Sequence, residues 1–218
     1  MHPRSLLVIG VTAIGASLLL GVAGLATGQM AQWSIAAPGG MMGSIFGGGR
    51  GDIGMDRAVT IAQDVAASYS GGGLAADEVI EFTNNYYASI REKGTGIGAF
   101  EVLIDRASGQ VTREPGPDMM WNAKYGMMSG GMMGGFGFTT SEPMSVTAQQ
   151  AQEIAQQWLD ANRSGTKARM PDRFYGYYTV DFEAAGQLVG MLSVNGYAGQ
   201  VWYHNWHGSF IQLRDLGA

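Results

Sequence analysis

One hexapeptide pattern, A-x-x-I-A-Q, occurs twice, as Ala58-Val59-Thr60-Ile61-Ala62-Gln63 and as Ala151-Gln152-Glu153-Ile154-Ala155-Gln156. The agreement continues downstream. Phe82 and Tyr86-Tyr87 are matched by Phe174 and Tyr177-Tyr178, and Gly109-Gln110-Val111 by Gly199-Gln200-Val201. From Ile61 to Gly109 is 48 residues and from Ile154 to Gly199 is 45. Three anchors in one order at nearly one spacing identify a duplicated unit, and whatever one copy folds into, the other must accommodate.

Each copy opens on a short amphipathic helix. In the first, Ala58, Ile61, Ala62, Val65 and Tyr69 share a face and Gly71 to Gly73 stop it. In the second, Thr147 and Gln150 form a capping-box pattern ahead of Ala151, Ile154, Ala155 and Trp158. Such helices need a sheet to cover. Phe100, Val102 and Ile104 alternate with Glu101, Leu103 and Asp105 before a turn through Ala107-Ser108-Gly109 and a return strand. Leu188 to Val194 repeats this shape, returning through Gln200 to His204, with Tyr175 to Phe182 as the strand before. Tyr175, Tyr177 and Phe182 are expected to bury Trp158. The pattern predicts an α+β chain: an N-terminal transmembrane helix, then two repeated units of one helix packed on a small antiparallel β-sheet.

The expected division is a signal anchor over 1–28, a Gly/Met-rich tether over 29–54, unit 1 over 55–118, a Met/Gly-rich inter-unit segment over 119–143 and unit 2 over 144–218. Leu6 to Ala26 are 21 uncharged residues, enough to cross a bilayer as a helix. Arg4 precedes them and Arg50 is the first positive charge after them, which keeps the N-terminus cytoplasmic and the bulk of the chain extracytoplasmic. Cleavage near Ala26-Thr27-Gly28, giving a secreted form, is the alternative.

The hairpin F-E-V-L-I-D-R-A-S-G-Q-V, Phe100 to Val111, resembles the PepSY domain, whose hallmark is a hairpin carrying a D-x-x-[ST/A]-G-x-V turn. The second copy is a divergent match, with Asn195 where the first has Asp105. The resemblance implies an extracytoplasmic, often membrane-tethered module without catalytic residues, acting in signalling or in inhibition of metallopeptidases. Since no peptidase sequence follows, a metallopeptidase would be modulated in trans.

Chemistry-bearing residues are few. There is no cysteine, which removes disulfide scaffolds, zinc ribbons and thiol enzymes, and the 13 Lys plus Arg are scattered, so nucleic acid is not an expected partner. Hydrolase, kinase and nucleotide motifs are missing, and the carboxylates, placed singly or in charged turns such as Asp77-Glu78 with no paired setting, read as solvated faces; no enzyme activity is expected. Methionine is the outlier. Met119-Met120, Met127-Met128 and Met132-Met133 form three pairs among glycines. Thioethers are soft ligands suited to Cu(I), or else adaptable apolar contacts for a protein partner, a role in which Trp121 and Tyr125 would join them. His204 and His207 lie three apart, so they can share one metal only if the chain turns between or beside them. The leading expectation is a non-catalytic binding or regulatory module. The alternative is copper handling by the Met pairs with His204 and His207.

Overall fold

The computed structural model describes residues 51–69, 72–126 and 143–217. Leu6 to Ala26, nearly all of the tether and Met127, Met128, Met132 and Met133 lie outside the described residues. No helix among the described residues is long and apolar enough to cross a membrane.

Helix α1 (Met55–Ser68) is followed by strands β1 (Leu74–Phe82), β2 (Asn85–Glu92), β3 (Gly98–Asp105) and β4 (Val111–Arg113). A short helix α2 (Pro117–Met120) leads toward the second half: α3 (Ala148–Asn162), β5 (Lys167–Ala168), β6 (Asp172–Arg173), β7 (Tyr177–Ala184), β8 (Gln187–Asn195) and β9 (Val201–Tyr203). The last strand, β10 (Phe210–Asp215), leaves its own half and pairs antiparallel with β1. The first sheet therefore runs β10-β1-β2-β3-β4 and the second β5-β7-β8-β9, with β6 also on β7. The named strands among the described residues pair antiparallel, with one isolated parallel bridge from Gly98 to Phe174, and the mixture of helix with antiparallel sheet is the expected class.

The two halves repeat in register. Tyr86 pairs with Ile104 next to Asn85–Asp105, and Tyr178 pairs with Val194 next to Tyr177–Asn195. This shifts one match made from sequence: Tyr86 corresponds to Tyr178, and Tyr87 to Thr179. The turns agree in detail. Asp105 Oδ1 accepts from the N–H groups of Ala107 and Ser108, and Asn195 Oδ1 from those of Tyr197 and Ala198. A carboxylate and an amide oxygen do the same work there, so the divergence at this position is conservative. Gly109 and Gly199 adopt φ of 71° and 66°, and a Cβ on either would lie within 2.9 or 3.1 Å of the helix isoleucine of its own copy, Ile61 or Ile154. Only glycine takes the left-handed turn and leaves room for the helix.

Period-two alternation gives each sheet two faces. Tyr86, Ala88, Ile90, Val102 and Ile104 bury α1 through Ala58, Ala62 and Ala66. Tyr178, Val180, Phe182, Leu192 and Val194 bury α3 through Ala151, Ala155 and Leu159. The capping box of α3 is present, with Gln150 N–H donating to Thr147 Oγ1. The phase of α3 is rotated from expectation. Leu159 is fully buried, whereas Trp158 is half-buried at the margin, stacked on Tyr203 at 5.5 Å between ring centroids. Phe182 does face α3, but Tyr177 points the other way and Tyr175 hydrogen-bonds Glu92.

The remaining faces meet each other. Ile80, Phe82 and Tyr87 from the first sheet touch Leu188 and Met191 from the second. The order of layers is helix, sheet, sheet, helix.

Candidate functional site

The seam between the sheets carries the buried polar groups, and its centre is Glu101 on β3, which has no exposure. Tyr87 and Tyr177 donate their hydroxyls to its two oxygens at 2.6 and 2.8 Å, and Thr179 donates to Oε1 at 2.7 Å. Burial, then the neighbouring Glu114 and Asp118, push its carboxyl well above the usual range. Asp118 accepts from the Glu101 N–H and from Arg113 Nε at 3.1 and 2.6 Å; burial raises it to about 6 against the opposing pull of Arg113. The expectation that carboxylates sit singly in solvent fails here. Glu101, Glu114 and Asp118 are all buried, because the face that reads as polar along one strand meets a second copy of the sheet rather than water.

From Glu101 the polar line continues through Thr179 to Ser193 Oγ (3.3 Å) and on to His204 Nε2 (3.0 Å). His204 Nδ1 then lies 3.3 Å from Glu114 Oε1, and His207 Nε2 lies 2.9 Å from the same oxygen. Strand β9 ends at Tyr203, and the chain then bends at Trp206 and His207, which brings the second histidine back beside the first. Trp206 Nε1 donates to Glu114 Oε1 at 3.1 Å, and His207 Nδ1 contacts Asn85 Oδ1 at 3.0 Å. Glu114, His204 and His207 are 0 %, 3 % and 1 % exposed, and their ligand atoms all lie within 4.8 Å of one another. Burial raises the Glu114 carboxyl, but the two imidazoles beside it overcome this and hold it well below the usual range. Burial also pushes His207 down.

His204 and His207 are thus brought together, and Glu114 is the partner that motif reading missed. A signal for it exists in the repeat. Counted from Gly109 and from Gly199, Glu114 and His204 are both the fifth residue onward, and their backbone N–H groups donate to equivalent carbonyls, Glu101 and Met191. Aligning the copies sets these two residues at one position, and the packing of equivalent faces puts them in contact.

The other sequence candidates fall elsewhere. Met119 is half-buried and Met120 is exposed at the end of α2. Trp121 is half-buried edge-on to Trp202 at 5.8 Å. Tyr125 donates to Glu92 Oε1 at 2.6 Å beside Lys124 Nζ, also at 2.6 Å, and packs on Phe100. Burial works to raise Glu92, but these donors, with Thr95 and Tyr175, bring it down to about 2. Both aromatic residues therefore tie the inter-unit segment to the sheets.

No family model matches the chain, and no curated protein matches it either. Among solved structures it is similar to the Bacillus megaterium YpeB C-terminal domain, at 11 % identity over 70 % of this chain and 62 % of that one, with a TM-score of 0.25. The chain therefore spans less than two thirds of that domain, and a superposition this loose carries no argument about activity.

Proposed function

We propose that the chain is a non-catalytic, extracytoplasmic binding module, tethered by Leu6 to Ala26, that takes an extended segment of a protein partner along strand β10. The observation that carries this is the free edge of β10. It stands at the end of the first sheet, nothing among the described residues pairs with its outer side, and Ile211 and Leu213 are 46 % and 38 % exposed on it. An edge strand of this kind offers a row of unpaired N–H and C=O groups, a template for strand addition, and apolar side chains at alternate positions supply selectivity. The PepSY-like hairpin of the first copy supports the extracytoplasmic assignment by resemblance.

The test uses the full-length chain in its own membrane, with a photoreactive residue at position 211. A discrete cross-linked species that disappears on Leu213→Lys, while the variant keeps its melting temperature, supports strand addition. A cross-link indifferent to that charge rejects it. External protease should cut the membrane-bound chain beyond Gln29; a soluble form beginning near Thr27 would replace the tether with a cleaved signal.

A further inference from the structure

We propose that Glu114, His204 and His207 bind one zinc-class divalent cation, which clasps the two copies of the repeat together. This goes beyond the binding-module reading and does not depend on it.

The tautomer of His207 follows from its neighbours. Asn85 Nδ2 donates to the Trp206 carbonyl at 3.2 Å, which fixes the amide so that Oδ1 faces His207 Nδ1 at 3.0 Å. A carbonyl oxygen only accepts, so Nδ1 carries the hydrogen, and in a neutral imidazole Nε2 is then a lone pair. That lone pair faces an oxygen of Glu114 at 2.9 Å with no water-exposed surface around it. Two electron-rich atoms at that distance call for a cation between or beside them. His204 Nδ1, His207 Nε2 and Glu114 Oε2 are all buried without a hydrogen-bond partner, and the N–H that Glu114 does accept comes from Trp206 on Oε1, so three buried donor atoms converge with no hydrogen bond among them.

Two imidazole nitrogens and a carboxylate form a borderline-to-hard donor set, which suits zinc and lacks the thioethers that Cu(I) prefers. Glu114 Oε2 is available as a fourth donor. The outer partners are those expected around metal-binding histidines: Ser193 on His204 Nε2, Asn85 on His207 Nδ1, and the Trp206 N–H on Glu114 Oε1. Glu114 follows β4 of the first copy while both histidines follow β9 of the second, so the ion would bridge the halves. Because the site is closed to solvent, the ion enters as the halves close, and binding is coupled to folding.

The experiment refolds the full-length chain in detergent after chelation, with Zn(II), Co(II) or Cu(I) added, and measures bound metal and the melting temperature. One equivalent of Zn(II), a four-coordinate Co(II) spectrum and a raised melting temperature are expected. Glu114→Gln, which keeps the shape and the Trp206 contact, should retain native circular dichroism and lose the ion. Asn85→Ala should weaken binding roughly 10–100-fold. Replacing Met119, Met120, Met127, Met128, Met132 and Met133 with leucine should leave Zn(II) binding unchanged. The proposal is overturned if folded wild type takes up no Zn(II), if Glu114→Gln binds it as well as wild type, or if the leucine variant abolishes it.

Discussion

Position for position, the two copies are interchangeable where they face their helices and unlike where they face each other. Toward the helices, Tyr86 and Tyr178, Ala88 and Val180, Val102 and Leu192, and Ile104 and Val194 are equivalent and all apolar or aromatic. Across the seam, Tyr87 stands opposite its counterpart Thr179, Glu101 has Met191 as its equivalent, Leu103 has Ser193, and Glu114 has His204. A helix-facing residue answers only to its own copy, so the same solution serves twice. A seam residue answers to the other copy, and two identical carboxylates there would repel. Divergence at one set of positions is therefore a condition of burying them together.

The largest effect should come from the half that is the same in both copies. Leu159→Ala removes a fully buried side chain from the α3 interface and should cost about 2–5 kcal/mol in a denaturant titration. Trp158→Ala, at the margin of the same interface, should cost less; the reverse order would mean that the helix phase is misassigned. In the seam, Tyr177→Phe removes a donor to Glu101 and leaves a buried carboxyl short of a partner, with an expected loss of about 1–3 kcal/mol. Tyr178→Phe, whose hydroxyl reaches only the Val146 carbonyl near the surface, should cost less, and equal losses would erase the distinction between the faces.

Gly109→Ala and Gly199→Ala force a side chain into the left-handed region, and each should cost about 1–2 kcal/mol by thermal melting. Similar losses at both sites are expected, because the turns are equivalent. Thr147→Ala removes the side-chain cap of α3 for about 1 kcal/mol. No matching substitution exists in α1, whose N-cap is Gly54 with no side-chain bond. The smallest effect at acidic pH belongs to Glu78→Gln. Burial, then the carboxylates of Asp181, Asp172 and Asp77, raise Glu78 from 4.5 to about 9. Above the unfolded pKa the folded chain keeps a proton that the unfolded chain has released, so stability should fall as pH rises from about 4.5 to about 9. Glu78→Gln should flatten that slope in melting curves taken across the range, and an unchanged slope would place its origin elsewhere.

The sequence shows the helices and hairpins because each is decided locally. An apolar period near 3.6 followed by a glycine turn reads directly as α1 or α3 and its hairpin, and the capping box at Thr147 and Gln150 was visible before any contact was known. Strand β1 was not, since Asp77-Glu78 in its middle looks like a solvated turn until the second sheet is laid against it. Strand β10 was hidden for a different reason. Asp215 pairs with Glu78, 137 residues earlier, and nothing in either segment encodes that distance. The candidate site combines both cases. His204 and His207 stand out as rare residues, whereas Glu114 acquires meaning only when the two copies are superposed and folded face to face.

The pairing of β10 with β1 also sets a timetable. A chain made from its N-terminal side completes α1 and strands β1 to β4 long before Phe210 to Asp215 are made, so the first sheet waits with an open border until β10 arrives. Contacts of such long sequence separation make closure slow, and an exposed strand border in the meantime invites mispairing with another nascent chain. Loss of Phe210 to Asp215 would thus fall hardest on the half of the molecule that was synthesised first.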